Sequence, residues 1–256
     1  MADSSPLAES FSTIINNGRF VGDTIGLTKD DVMCCPPPLF PCFGLVMGFL
    51  CAFTRGCTIV YPSQQFDARL VMQAADDEQC TVILGVPTMF GAELDVLAEA
   101  GRRPRCLRTA LAAVAPVLSS IVQRLEEKTG IKNVIIGYGM TETSPITFST
   151  TLEDSSERKL STVGRIYPHT KAKIVDPDGR IVLRGEKGEI CTAGYVLQRG
   201  YLKNEAKTLE VMRADEHGTV WMHTGDEGIV DGKGYCRVTG RIKDLVIRGM
   251  LFDSEY

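Results

Sequence analysis

A short stretch at residues 137–145 carries side chains that could bind a nucleotide. Gly137 and Gly139 let the backbone turn sharply and approach a ligand closely. Tyr138 offers a flat ring, Thr141 a hydroxyl, and Glu142 a carboxylate that can hold a hard cation. Two interpretations stay open: a nucleotide site, or simply a strand followed by a glycine turn and a capped helix. On spacing alone, the second is the more common arrangement.

The element that must position these groups is the apolar run at residues 134–136, Val-Ile-Ile, directly before them. A short run of branched apolar residues is typical of a strand in a parallel sheet that is covered on both faces. Ligands of open α/β sheets bind at the carboxyl edge of the strands. We therefore expect residues 137–142 to lie at a ligand-binding edge.

The first half of the chain alternates between strand and helix patterns. Strands are predicted at 58–61, 81–84 and 107–112, and helices at 67–78, 90–100 and 118–129. The apolar run at 39–53 falls short of the ~20 residues that span a bilayer, so we expect a buried helix there and no membrane span. This alternation predicts an α/β fold, a parallel sheet with flanking helices.

After Pro145 the pattern changes to short strands separated by turn residues, which predicts a small distorted β-barrel subdomain. We place the boundary within 149–157. The predicted division is 1–148 for an α/β subdomain that contains the candidate nucleotide site, 149–243 for the β-barrel, and 244–256 for a terminal stub.

Composition excludes some classes of function. The 256 residues are 44% hydrophobic and 23% charged, as in a soluble globular protein. A net charge of -4 lacks the basic character of nucleic-acid binders, so we expect no nucleic-acid partner. The nine cysteines show no zinc spacing and no signal peptide precedes them, so we expect reduced thiols and a cytoplasmic location.

Four motifs, in order, resemble the medium-chain acyl-CoA synthetase branch of the adenylate-forming, or AMP-binding, superfamily. They are Tyr-Gly-Met-Thr-Glu at 138–142, Gly-Glu-Ile at 188–190 with Gly-Tyr-Leu at 200–202, Trp-Met-His-Thr-Gly-Asp at 221–226, and Gly-Arg-Ile-Lys-Asp at 240–244. The resemblance covers about residues 16–249. Any one motif is weak evidence, whereas four in the family's order are strong evidence.

The resemblance implies an ATP- and Mg²⁺-dependent ligase that joins a carboxylic or fatty acid to AMP and then to CoA. It implies that Tyr138 stacks on adenine, that Thr141 contacts the α-phosphate, and that Glu142 holds Mg²⁺. The remaining residues implied in nucleotide binding are Ala115, Gly137, Gly139, Met140, Asp226 and Arg241.

Asp226 and Arg241 each have a plainer interpretation. The Asp226 carboxylate can accept both hydroxyls of a ribose, but an aspartate in a turn can also stabilise its own loop. Arg241 could reach ribose or phosphate oxygens, or lie on the surface. The accompanying motifs favour ribose binding by Asp226.

The chain also departs from the family pattern. Pro41 stands where the family has a histidine beside the acyl pocket, and Val114 stands where relatives keep a glycine that admits adenine. We expect the chain to be truncated at both ends, without the family's phosphate loop and its C-terminal lysine. Acyl-CoA formation by the chain alone should then be absent or very slow.

Two further expectations follow from these departures. Alternatively, the chain is a non-ligating relative. It would then bind acyl groups or nucleotides, or catalyse another reaction in the pocket that holds the acyl group in the family. An apolar face left exposed near the N-terminus would favour self-association or a complementing polypeptide.

Overall fold

Two sheets organise the chain in a computed structural model that describes residues 7–100, 103–113 and 119–242. The strands are β1 (Leu7–Ala8), β2 (Val32–Cys34), β3 (Thr58–Val60), β4 (Val82–Gly85), β5 (Thr109–Ala112), β6 (Asn133–Gly139), β7 (Ile146–Ser149), β8 (Arg165–Ile166), β9 (Thr170–Val175), β10 (Gly188–Gly194), β11 (Gly200–Tyr201), β12 (Met212–Ala214), β13 (Val220–Val230) and β14 (Cys236–Arg241). The α-helices are α1 (Phe11–Thr24), α2 (Cys51–Arg55), α3 (Ala68–Asp77), α4 (Pro87–Ala100), α5 (Ser119–Thr129), α6 (Ser156–Ser161) and α7 (Glu205–Val211).

The first sheet has seven strands in the order β3-β2-β4-β5-β6-β7-β8. Its first five strands are parallel, and β7 and β8 pair antiparallel at one edge. Both faces are covered, so β6 is apolar throughout its centre: Val134 and Ile136 face one core cluster and Ile135 the other. The predicted parallel sheet with flanking helices is confirmed.

Local sequence explains where the flanking helices begin and end. Helix α3 begins after Asp67, whose carboxylate accepts the backbone N–H groups of Arg69 and Leu70. Helix α5 is followed by Gly130, which has a φ of 78°, a left-handed conformation that suits glycine. These elements were predicted to within a few residues.

The apolar run at 39–53 differs from the prediction of a buried helix. It forms a π-helical segment, Phe43–Leu50, that continues into α2. Met47 and Cys51 are buried, but Phe40, Phe49 and Phe53 are 90%, 40% and 72% exposed. A run that is apolar on all sides does not reveal which face packs on the sheet, so burial of the whole segment was wrong.

Five strands form the second sheet, in the order β12-β13-β10-β9 with β14 also paired to β13. All pairings are antiparallel, and among the described residues none closes this sheet into a barrel. Strand β8 still belongs to the first sheet. That sheet therefore extends past residue 149, where the sequence predicts the domain boundary.

Some predicted features lie outside the described residues: Ala115, Val114 and the stub at 244–256. Among the described helices, none is both long and apolar enough to cross a bilayer.

An ion pair ties the start of β2 to β5. Arg108 donates from Nε to Asp31 Oδ1 at 3.1 Å and from a terminal nitrogen to Oδ2 at 2.8 Å. Burial raises the pKa of Asp31, but hydrogen bonds from Arg108, Thr81 and Thr28 outweigh it and lower the pKa to about 2. The ion pair thus stabilises the fold when Asp31 is ionised.

We expect this stabilisation to be lost in acid. Because the folded-state pKa lies below the ordinary value of 3.8, the contribution is complete above about pH 4 and disappears as the pH falls towards 2. Asp31→Asn should lower the free energy of unfolding by about 2 kcal/mol at neutral pH and flatten its acid dependence, as measured by urea denaturation. The control, Asp30→Asn, alters an exposed neighbour and should change little.

We also expect concentration-dependent self-association through the exposed phenylalanines. Phe49 and Phe53 stack with ring centroids 6.1 Å apart on the surface of the π-helical segment and α2. Replacing both with serine should reduce association in sedimentation velocity because it removes apolar area from the surface. Leu183→Ser, on another exposed apolar residue, is the control. A wild-type chain that stays monomeric at all concentrations would contradict this expectation.

Candidate active site

A cavity of about 850 Å³ lies at the carboxyl edge of the parallel strands, within the usual size range of small-molecule sites. Both sheets contribute to its wall. The polar part includes Gly139, Met140, Thr141, Glu142, Glu189, His223, Thr224, Gly225, Asp226 and Arg241, and the apolar part includes Pro41, Phe43, Met47, Val86 and Met89.

The turn after β6 forms the floor of the polar part. A Cβ on Gly139 would lie 1.8 Å from the Pro145 carbonyl oxygen, so only glycine fits there. The Thr143 hydroxyl accepts the Met140 backbone N–H at 3.1 Å and donates to the Pro145 carbonyl at 2.9 Å. These contacts fix the loop, so that Thr141 is exposed at the cavity while Thr143 is buried.

Asp226 joins the two sheets at this cavity. The Tyr138 hydroxyl, from β6, donates to Asp226 Oδ2 at 2.7 Å. Burial, together with the negative charge of Asp226, raises the pKa of Tyr138. Arg241 Nε lies 3.5 Å from Asp226 Oδ1, and its side chain is mostly exposed. A carboxylate, a phenol and a guanidinium therefore stand together where a polar ligand group could bind.

Glu142, like Asp226, accepts a hydrogen bond from a tyrosine hydroxyl. The Tyr201 hydroxyl, from β11, donates to Glu142 Oε1 at 2.8 Å. The Cys42 thiol donates to the neighbouring Thr141 hydroxyl oxygen at 3.5 Å. Both Thr141 and Glu142 are thus in contact with side chains from distant parts of the chain.

Three side chains on β10 and β13 form a further cluster that the sequence did not predict. His223 Nδ1 lies 2.7 Å from Glu189 Oε2 and 3.4 Å from Cys191 Sγ. The three ligand atoms lie within 4.8 Å of one another, so the group could be considered as a metal site. Burial raises the pKa of Cys191 to about 12.

The structure brings most of the predicted site residues together. Gly139, Met140, Thr141, Glu142, Asp226 and Arg241 all line the cavity. Gly137 and Tyr138 precede them on β6, with the Tyr138 ring 6.1 Å from that of Phe148. Stacking of Tyr138 on adenine stays a prediction. Sequence reasoning missed Glu189 and Tyr201 as site residues, although both lie in motifs that it had identified.

A comparison with protein families matches residues 9–202 to the family described as AMP-binding enzyme. This match covers most of the chain. The chain belongs to the AMP-binding enzyme family.

Curated members of the AMP-binding family provide close relatives. Acyl-CoA ligase sidI of Aspergillus fumigatus is 48% identical over 236 residues, which is 92% of this chain and 40% of that protein. Medium-chain acyl-CoA ligase ACSF2, mitochondrial, of Danio rerio is 40% identical over 246 residues, which is 94% of this chain and 39% of that protein. The chain thus spans about 40% of the length of these relatives.

A solved structure shares the fold. It is O-succinylbenzoate coenzyme A synthetase from Bacillus subtilis, in complex with ATP and magnesium ion, with a TM-score of 0.80 and 28% identity. The similarity covers 96% of this chain and 49% of that one.

If the Asp226 carboxylate binds ribose, Asp226→Ala should weaken AMP binding about ten- to a hundredfold, because it leaves hydrogen-bonding groups of the ligand without a partner. Isothermal titration calorimetry measures this change. Tyr138→Phe keeps the ring and removes only the hydroxyl that contacts Asp226, so it should cost less. Unchanged affinity in Asp226→Ala would remove Asp226 from the site.

Proposed function

We propose that this chain forms the adenylate-binding part of an AMP-forming acyl-CoA ligase. The proposed reaction activates a carboxylic acid with ATP and transfers the acyl group to CoA. One observation carries the proposal: a single cavity is lined both by the Gly139–Glu142 turn with Asp226 and by a set of apolar side chains. Such a cavity suits a molecule with a polar nucleotide end and an apolar acyl end.

The polar end fits a nucleotide by its chemistry. Asp226 can accept ribose hydroxyls, and Arg241 can interact with ribose or phosphate oxygens. Thr141 can donate to a phosphate oxygen from the exposed turn. Glu142 provides the oxygen ligand that Mg²⁺ prefers, and bound Mg²⁺ would offset phosphate charge.

The apolar end fits an acyl chain. Phe43 and Met47 come from the π-helical segment, Met89 from the first turn of α4, and Val86 from the position just before α4. Methionine side chains adapt to ligands of irregular shape. These four side chains are apolar, so we propose a carboxylic acid with a largely apolar chain as the substrate class.

Pro41 supports a second candidate function. It lines the cavity at the position where the family pattern has a histidine, and proline has neither a titratable group nor a backbone N–H to offer a substrate. A relative that binds acyl groups or nucleotides without ligation would retain the cavity and tolerate this change.

Pyrophosphate release that depends on an added carboxylic acid distinguishes the ligase from the non-ligating relative. With ATP, Mg²⁺ and a panel of carboxylic acids, a ligase should release pyrophosphate with apolar acids and less with short polar ones. AMP binding without release under any acid would favour the non-ligating alternative. Pyrophosphate release only after a second polypeptide is added would indicate that this chain is one half of a split enzyme. A chain that binds neither AMP nor ATP would contradict both functions.

A further inference from the structure

Asp226 lies where the pairing between β10 and β13 is interrupted by a bulge. Along β10 and β13, Glu189 pairs with Glu227, and the next pair is Cys191 with His223. One residue separates the paired positions on β10, whereas three residues, Thr224, Gly225 and Asp226, separate them on β13. These three residues form a bulge, defined here as the 224–226 bulge, that turns Asp226 towards the cavity.

One carboxylate binds the residue just before this bulge and the residue at its middle. Glu189 Oε1 accepts the Gly225 backbone N–H at 3.0 Å. Glu189 Oε2 accepts His223 Nδ1–H at 2.7 Å, since an ionised carboxylate can only accept. Both bonds are charge-assisted and therefore stronger than bonds between neutral groups.

Hydrogen bonds of a residue within the bulge also stabilise its conformation. The Thr224 hydroxyl donates to the Ile190 carbonyl at 2.8 Å and accepts the Asp226 backbone N–H at 3.1 Å. Gly225 has a φ of 72°, a left-handed backbone conformation that residues with a side chain rarely adopt. Glu189 is the charged group that fixes this conformation, and it acts one residue away from Asp226.

A metal ion is a weaker explanation of the same cluster. Two ligand atoms on a tetrahedral zinc ion, each about 2.0–2.2 Å from it, lie about 3.3–3.6 Å apart. The observed 2.7 Å between Glu189 and His223 is a hydrogen-bond distance. The geometry therefore favours a hydrogen-bonded cluster.

We propose that Glu189 is a positioning residue that holds the 224–226 bulge in the conformation in which Asp226 binds ribose hydroxyls. This inference rests on the proposed function, because it assumes that Asp226 faces a nucleotide. Glu189 then determines how strongly the site distinguishes AMP from a nucleotide without ribose hydroxyls.

The experiment compares dissociation constants for AMP and 2′,3′-dideoxy-AMP by calorimetry, and their ratio is the ribose discrimination. The variants are Glu189→Ala, Glu189→Gln, Asp226→Ala and the double variant with both alanines. Glu227→Gln is the matched control, because Glu227 pairs with Glu189 across the strands but bonds Thr239 and Lys187 instead.

We expect Glu189→Ala to reduce the ribose discrimination about tenfold, through weaker AMP binding with little change for the dideoxy analogue. Glu189→Gln should lose less, since its carbonyl oxygen can still accept one of the two bonds. In the double variant, AMP should bind about as weakly as in Asp226→Ala, because both changes remove the same contact. Glu227→Gln should leave the ratio unchanged.

Three outcomes would overturn the inference. The first is unchanged discrimination in folded Glu189→Gln and Glu189→Ala. The second is full additivity of the two alanine substitutions, which would mean that Glu189 acts independently of Asp226. The third is binding of one Zn²⁺ per chain that Cys191→Ser abolishes. If the wild-type chain binds neither nucleotide, the proposed function itself fails.

Discussion

Two tyrosine hydroxyls hold the carboxylates of the candidate site, and the site depends on them. Tyr138, on the parallel sheet, donates to Asp226 on the second sheet. Tyr201, on β11, which pairs with β1, donates to Glu142 after the end of β6. Each carboxylate therefore has its position set by a group from the other part of the chain. Burial raises the pKa of both phenols, so both remain donors at neutral pH. This arrangement preorganises negative charge on two sides of one cavity, which reduces the reorganisation needed when a ligand binds.

The sequence predicted best where local physical rules are sufficient. Residues 134–136 had to form a strand covered on both faces, and Asp67 and Gly130 mark helix ends through caps that depend only on neighbouring backbone groups. The motif residues at 139–142 and Asp226 could be assigned to one site because the family resemblance brought them together before any contact was known. Packing direction was not predictable: Phe49 and Phe53 are exposed although their segment is continuously apolar.

Strand register explains why part of the site was missed. Glu189 and His223 are 34 residues apart, and neither has a local signal for the other. Their contact exists because β10 and β13 pair on both sides of an irregularity, and a one-residue change in pairing would move Glu189 to the opposite face. Hydrophobic alternation locates strands but does not reveal an insertion within one of them. The position of Asp226 is thus a tertiary property, even though its motif is a local one.

In the proposed function, the two sets of cavity residues have different tasks. Apolar side chains of the π-helical segment and α4 would hold an acyl chain, and the groups of β13 would hold a nucleotide. Thr141 and Glu142 line the same cavity, on a turn that Gly139 and Thr143 hold against Pro145. In the proposed function, a carboxyl group whose chain contacts the apolar side chains would be directed towards the phosphate at this turn. Orientation of this kind can supply a large part of the rate of a bimolecular reaction, because the two reactants no longer have to meet by diffusion in the right geometry.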